Sequence, residues 1–169
     1  MTRLSRESIV TEKIDGTNAQ VCITEDGDIF AGSRTRWITP QDDNYGFAAW
    51  VEAHRNELLG LGPGHHFGEW WGLGIQRNYG MKEKVFSLFN VARWGESRPE
   101  CCRVVPTLAV GLFDDHDYDF ILHGKLALEG SVAAPGFMKP EGIVVFHTAA
   151  NICFKKTIDK DDQPKGLRT

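Results

Sequence analysis

The sequence predicts a mixed α+β domain in which antiparallel sheets are flanked by helices. Three observations lead there: short β-type runs divided by turn residues, two longer segments with apolar residues at helical spacing, and no internal repeat. A length of 169 residues suits one domain, or one domain with a short tail. With 41% hydrophobic and 25% charged residues, the composition excludes disorder and collagen-like repeats.

Ile9 to Thr11 and Ala19 to Thr24 read as strands. Between Ala19–Thr24 and the partner strand Ile29 to Ser33, Asp26-Gly27 supplies the positive φ of a hairpin turn. From Tyr45 to Leu59, Phe47, Ala48, Val51, Leu58 and their neighbours recur at helical spacing until Gly60 stops the run. Residues 61–64 form a connector, His66 to Trp71 a strand, and 72–80 a glycine-rich loop. Val85 to Val91 predicts a strand and 97–106 an irregular stretch. Tyr118 to Leu128 predicts a second helix despite Gly124, followed by a loop over 130–140. Gly142 to His147 and Ile152 to Ile158 predict a closing strand pair, and 159–169 a polar tail.

The net charge of −4, from 19 basic and 23 acidic side chains, argues against a general phosphate-neutralising coat. It leaves room for a local basic groove from Arg34, Arg36, Arg77, Lys82 and Lys84, with Trp37 or Tyr79 available for stacking. No apolar run reaches the roughly 18 residues of a membrane span, and Met1 to Ser8 lacks a secretory core. A cytoplasmic protein without membrane contact is expected. Cys22, Cys101, Cys102 and Cys153 lack Cys-x-x-Cys spacing and read as reduced, mostly buried thiols. His65-His66 reads as structural.

The stretch Thr11-Glu12-Lys13-Ile14-Asp15-Gly16-Thr17-Asn18 is the most informative. A strand-end lysine followed by an acid-glycine turn suits a nucleophile cradle. A free lysine of pKa about 10.4 is ammonium at neutral pH, so its surroundings must release the amine before it can attack. Downstream come Ser33-Arg34, Phe67-Gly68-Glu69, Phe86-Ser87-Leu88-Phe89-Asn90, Glu141-Gly142 and Lys155-Lys156. Lysines and an arginine would stabilise phosphoryl charge. Glutamates would hold a hydrated divalent cation or a ribose hydroxyl.

In this order the segments resemble the covalent nucleotidyltransferases (DNA ligases, RNA ligases and mRNA capping enzymes), and within them the RNA ligase 2 type. Gly68-Glu69 followed by Gly72-Leu73-Gly74-Ile75-Gln76 narrows the likeness, which runs from about residue 9 to 158. It implies a nucleotidyltransferase fold, the ATP-grasp-like adenylation domain of ligases, over residues 1–158; the eleven residues after Ile158 are too few for the C-terminal domain many RNA ligases use, so no separate C-terminal domain is expected. It implies an ATP-dependent enzyme in which Lys13 attacks the α-phosphorus of ATP and holds AMP as a phosphoramide.

By the same resemblance Glu12 would sit at the adenine edge, and Asp15 and Gly16 would belong to the nucleotide site. Asn18 and Arg34 would contact the nucleotide or the RNA end. Glu69 would bind the ribose and Phe89 would stack on adenine. Glu141 would act beside Mg²⁺ or Mn²⁺, and Lys155 or Lys156 would contact the α-phosphate. The AMP would pass to an RNA 5′-phosphate, which a 3′-hydroxyl then seals, on nicked duplex or single strands. The chain is taken as a monomer.

Three departures from that pattern stand out. Phe146 occupies a position where a lysine is usual, Asn90 replaces an acid, and Lys155-Lys156 are adjacent rather than spaced by one residue. Adjacent side chains on a strand face opposite ways, so one of the two lysines reaches the phosphate, and Lys155 is preferred. The alternatives are a DNA ligase, a capping-type enzyme, or a non-catalytic module that binds RNA ends or nucleotides.

Overall fold

Ten strands carry most of the regular backbone among the described residues: β1 (Glu7–Lys13), β2 (Thr17–Ile23), β3 (Ile29–Ser33), β4 (Trp37–Ile38), β5 (Gly64–Gly72), β6 (Lys84–Leu88), β7 (Cys102–Val104), β8 (Thr107–Leu112), β9 (Gly142–His147) and β10 (Ile152–Thr157). The helices are α1 (Phe47–Ala53), α2 (Arg55–Leu58), α3 (Val91–Trp94) and a π-helical segment, Phe120–Leu126, that runs into α4 (Ala127–Glu129). The computed structural model describes residues 5–159, so residues 1–4 and all but the first residue of the expected tail lie outside the described residues. No helix among the described residues is long and apolar enough to cross a membrane.

The chain forms two compact units, one from the segment ending at Ile14 together with Pro106 onward, the other Asp15–Val105. The first holds a four-stranded sheet in the order β10-β9-β1-β8, antiparallel throughout. One face packs Val10, Ile143 and Val145 against Leu122 and Leu126 of the helical segment. That segment winds wide, the Ala127 N–H donating to the Leu122 carbonyl five residues back. A Cβ on Gly124 would lie 2.6 Å from the Phe120 ring, so the glycine is what lets the helix hold this ring against itself. The expected second helix is thus present, and its glycine is a packing residue.

The second unit holds a six-stranded sheet in the order β4-β3-β2-β5-β6-β7. It is antiparallel except for β6 and β7, which run parallel. One face buries Val21, Phe47, Trp70, Phe86 and Leu88 with their neighbours. The expected 45–59 helix is broken. Tyr45 and Gly46 have positive φ, so α1 starts at Phe47, and His54 divides it from α2. The Asp43 carboxylate accepts from the Ala48 and Ala49 N–H groups and caps this entry.

The expected 85–91 strand stops at Leu88. Asn90 accepts the Arg93 N–H and starts α3, so this residue has a capping role. Within the expected irregular stretch, Cys102–Val104 forms β7 on the sheet edge. Trp70 and Trp71 alternate between the two sheet faces, but both are buried; Tyr79 closes over Trp71 at 5.1 Å. Only Cys102 of the cysteines is buried, and Cys153 is exposed. Desolvation, the largest cause, raises Cys102 above the ordinary thiol range.

Candidate active site

Lys13 ends β1 in Cα register with Gly142 of β9, and its ammonium donates to Glu141 in an ion pair. The two side chains are 13% and 10% exposed, so the pair is largely withdrawn from water. Gly142 has a steric reason. A Cβ there would come within 2.1 Å of the Lys156 carbonyl, and the close approach of β10 requires glycine directly after Glu141. The Glu-Gly pair therefore sets a carboxylate at the strand entry, beside the end of β1 that carries Lys13.

Glu12 and Lys13 are neighbours on a strand and point to opposite faces. Glu12 is 1% exposed. Its carboxylate accepts from Ser131 Oγ at 2.6 Å and from the Val132 and Ala133 N–H groups at 2.8 and 2.9 Å. The side chain is thus enclosed by the 131–134 loop, which it organises. Desolvation, the largest cause, raises the Glu12 pKa above the ordinary glutamate value, against the three hydrogen bonds that oppose the shift.

Register separates the late lysines. Lys155 pairs with Val144, which pairs with Thr11, placing Lys155 on the face of Lys13 and Thr157. Lys156 pairs with Ile143 on the opposite face and its ammonium donates to Asp119 at 2.6 Å. The two lysines thus face opposite ways, as adjacent strand positions require, and the pleat turns Lys156 to the helix-bearing face. Phe146, two residues beyond Val144, also lies on the Lys13 face.

In the 15–105 unit, Glu69 on β5 is in register with Asn18 on β2 and is 7% exposed. Its carboxylate accepts from the Gly16 N–H at 3.1 Å and from Asn18 Nδ2 at 3.4 Å. A Cβ on Gly16 would lie 2.5 Å from the Trp70 carbonyl, so the Asp-Gly turn is required by the approach of β5. Asp15 accepts from Arg77 Nε at 3.0 Å, and its N–H donates to the Tyr79 hydroxyl oxygen at 2.9 Å.

Asn18, Arg34 and Phe89 line one cleft of about 150 Å³, together with Gln20, Ser33 and Phe67. Phe89 is 40% exposed and its N–H donates to the Phe67 carbonyl, so the ring stands at the end of β6, open to the cleft. The structure thus brings together Asn18, Arg34 and Phe89 in this cleft, and Lys13 with Glu141 in the other unit.

Of the expected basic groove, Arg36 pairs with Asp42, Arg77 with Asp15, and Lys84 donates to the Tyr45 carbonyl. Tyr79 is 3% exposed and is not available for stacking. Phe67 and Ser131 are the residues the sequence reading lacks. Period-two alternation back from Glu69 places Phe67 on the same sheet face, so that signal was present; nothing local marks Ser131 as a partner 119 residues from Glu12.

A glutamate oxygen at the end of a strand is a hard donor of the kind Mg²⁺ or Mn²⁺ accepts, usually with waters and substrate phosphates completing the shell. Glu141 meets that requirement. The cleft offers an open ring face, a guanidinium and an amide, which suit a nucleotide base and its polar edges.

None of the curated proteins matches the chain. Among solved structures, a mutant of Naegleria gruberi RNA ligase with ATP and Mn aligns at a TM-score of 0.66 and 20% identity, over 92% of this chain and 51% of that one. Another mutant of that ligase, with AMP and Mn, gives 0.66 and 21% over 92% and 51%. The same ligase with PPi gives 0.64 and 20% over 92% and 50%. The chain spans about half the length of these structures, and at this identity they establish the fold. The RNA ligase family profile matches residues 6–158. With the match covering nearly the whole sequence, the chain belongs to the RNA ligase family.

Proposed function

We propose that residues 1–158 are the adenylation domain of an ATP-dependent RNA ligase, with Lys13 as its nucleophile. The observation that carries this reading is the largely buried ion pair of Lys13 with Glu141, where β1 ends and β9 begins, in a chain of this family. While Glu141 accepts from it, the ammonium has no lone pair to offer, so attack requires the pair to part and a proton to leave to solvent. The Nζ–P bond then forms as the bond from the α-phosphorus to the pyrophosphate oxygen breaks. Lys155, on the face of Lys13, neutralises charge on the α-phosphate.

Glu69, oriented by Gly16 and Asn18, accepts from the ribose hydroxyls. Phe89 stacks on the base, and Arg34 contacts the nucleotide or the RNA end. A divalent cation held through Glu141 would supply charge neutralisation on the phosphate oxygens. The ATP, AMP, PPi and Mn of the matched Naegleria structures support this assignment of ligands. The AMP then passes to an RNA 5′-phosphate and a 3′-hydroxyl displaces it.

The test is incubation with α-³²P ATP and Mg²⁺ or Mn²⁺, then denaturing electrophoresis. Protein is stripped with pyrophosphate beforehand to remove AMP already attached. Acid-labile label that is absent in Lys13→Ala is the expected result. No label under either ion overturns the reading in favour of a binding module. Preference for GTP, or sealing of nicked DNA but not RNA, would move the chain to the capping or DNA ligase class.

A further inference from the structure

From β4 to the first half of β5, the sheet face opposite the aromatic core is open and carries a row of rings that the core does not explain; toward β6 the same face is covered, with Trp71 and Ser87 buried. Phe30 and Trp37 lie edge-to-face at 6.3 Å, Trp37 and His65 at 6.1 Å, and His65 and Phe67 stack at 6.0 Å with planes 14° apart. Phe30, Trp37 and Phe67 are each half exposed or more, at 50%, 53% and 55%. Register places all four on one face: Phe30 beside Cys22 and His65, and Trp37 beside Gly32, Gln20 and Phe67. The row ends at Phe67, which lines the cleft with Arg34 and Phe89.

An antiparallel sheet with one face in water ordinarily shows polar side chains there, and a contiguous run of open rings marks a binding surface. The chemistry of the row selects the occupant. Its uncovered positions from β4 to β5 include no Leu, Ile, Val or Met, the side chains a protein groove or a lipid surface would ask for. Nor do those positions carry an exposed carboxylate, in a chain with 23 acids and a net charge of −4; Glu69, beyond Phe67, is buried and occupied by Gly16 and Asn18. Open rings with interleaved amides, no acid and an arginine at one end fit unpaired bases and their phosphates. Every base offers a π-face, and sheet-borne aromatics are a recurrent way of holding single-stranded RNA.

We infer that the Phe30–Trp37–His65–Phe67 row is a stacking platform for a single-stranded segment of the RNA substrate, running along the sheet face to the cleft. The inference rests on the RNA ligase reading above, but it is read out separately. Trp37 is the most exposed of the five tryptophans, so its fluorescence reports on a base stacked against it.

The experiment titrates the full chain with an unlabelled oligouridylate lacking a 5′-phosphate, following tryptophan quenching and, with a fluorescent oligonucleotide, anisotropy. Lysyl-AMP labelling is measured on the same preparations. Trp37→Ala and Phe30→Ala are expected to weaken RNA binding by about fivefold or more each, leave labelling unchanged, and recover binding in Trp37→Phe. Equal affinity in the wild type and the Phe30→Ala/Trp37→Ala double variant overturns the platform, as does a wild type that binds no RNA while accepting label. Ring-dependent binding without any labelling would uphold the platform and remove the adenylation reading instead. Tighter quenching by an apolar peptide or by anionic vesicles than by RNA would also overturn it.

Discussion

The two units hold their sheets by different means. In the 15–105 unit the covered sheet face meets a dense aromatic cluster: the Phe47 ring lies 5.7, 5.3 and 5.1 Å from those of Trp50, Trp70 and Phe86. In the unit that carries Lys13, the fully buried apolar set is small, with Val10, Leu122, Leu126, Ile143 and Val145 flanked by half-buried neighbours. That unit relies more on polar groups taken out of water: Glu12 in its loop and Lys13 with Glu141. Aromatic area gives stability without chemistry, whereas a withdrawn carboxylate or ammonium is costly unless partnered and becomes reactive when the partner leaves. The unit that carries Lys13 has the weaker apolar support.

This contrast is sharpened most by Phe47→Ala. The side chain is fully buried and touches three aromatic neighbours, so its removal should cost about 4 kcal/mol. Urea denaturation followed by tryptophan emission reads the effect directly, since Trp50 and Trp70 border the cavity. A loss below about 1 kcal/mol would show that the cluster closes over the gap, outside the range seen for buried phenylalanines.

Leu122→Ala probes the other core and should cost less, about 2–3 kcal/mol. Leu122 is also fully buried, but Phe113, Tyr118 and Ile121 around it are only partly buried and can move inward. Hydrogen exchange at the β9 amides of Val144 and Phe146 is the measurement, because the alternation that sends the Thr148 N–H to the Glu7 carbonyl points them at β1, where they report the local opening of the sheet that presents Lys13. A cost equal to that of Phe47→Ala would erase the distinction between the two cores.

How far the sequence could show this differs from element to element. The positions of Lys13 and Glu141 at strand ends and of Glu69 inside β5 were legible because glycines follow or precede them for steric reasons, and a glycine in a strand pattern is visible without coordinates. The cleft was legible in part, with Asn18, Arg34 and Phe89 expected and Phe67 missed. The strands β7 and β8 were not, because edge strands with half-exposed side chains carry little alternation. The aromatic row was hidden for another reason. Phe30, Trp37 and Phe67 read as ordinary strand aromatics, and only the pairing register reveals that they share the uncovered face.

The smallest effect, and the most discriminating, concerns Glu12. Glu12→Ala leaves the Ser131 hydroxyl and the Val132 and Ala133 N–H groups without their acceptor and should cost about 2 kcal/mol. Glu12→Gln keeps an acceptor and a similar shape, so it should differ from the wild type by less than about 1 kcal/mol. Its difference should depend on pH. The folded protein holds the Glu12 proton more tightly than the unfolded chain, chiefly through desolvation, so the wild type binds more protons when folded. The stability Glu12 contributes is then complete below the ordinary glutamate range and is lost as pH rises through the raised folded value. Glutamine does not titrate, so Glu12→Gln should gain on the wild type across that interval and run parallel to it above. Denaturation at a series of pH values checks this, and a variant that instead falls behind as pH rises would mean that the three hydrogen bonds outweigh desolvation. Lysyl-AMP labelling of the same variant decides the remaining point. Retained labelling fits a carboxylate that only organises its loop, whereas a folded Glu12→Gln without label would return the side chain to the nucleotide.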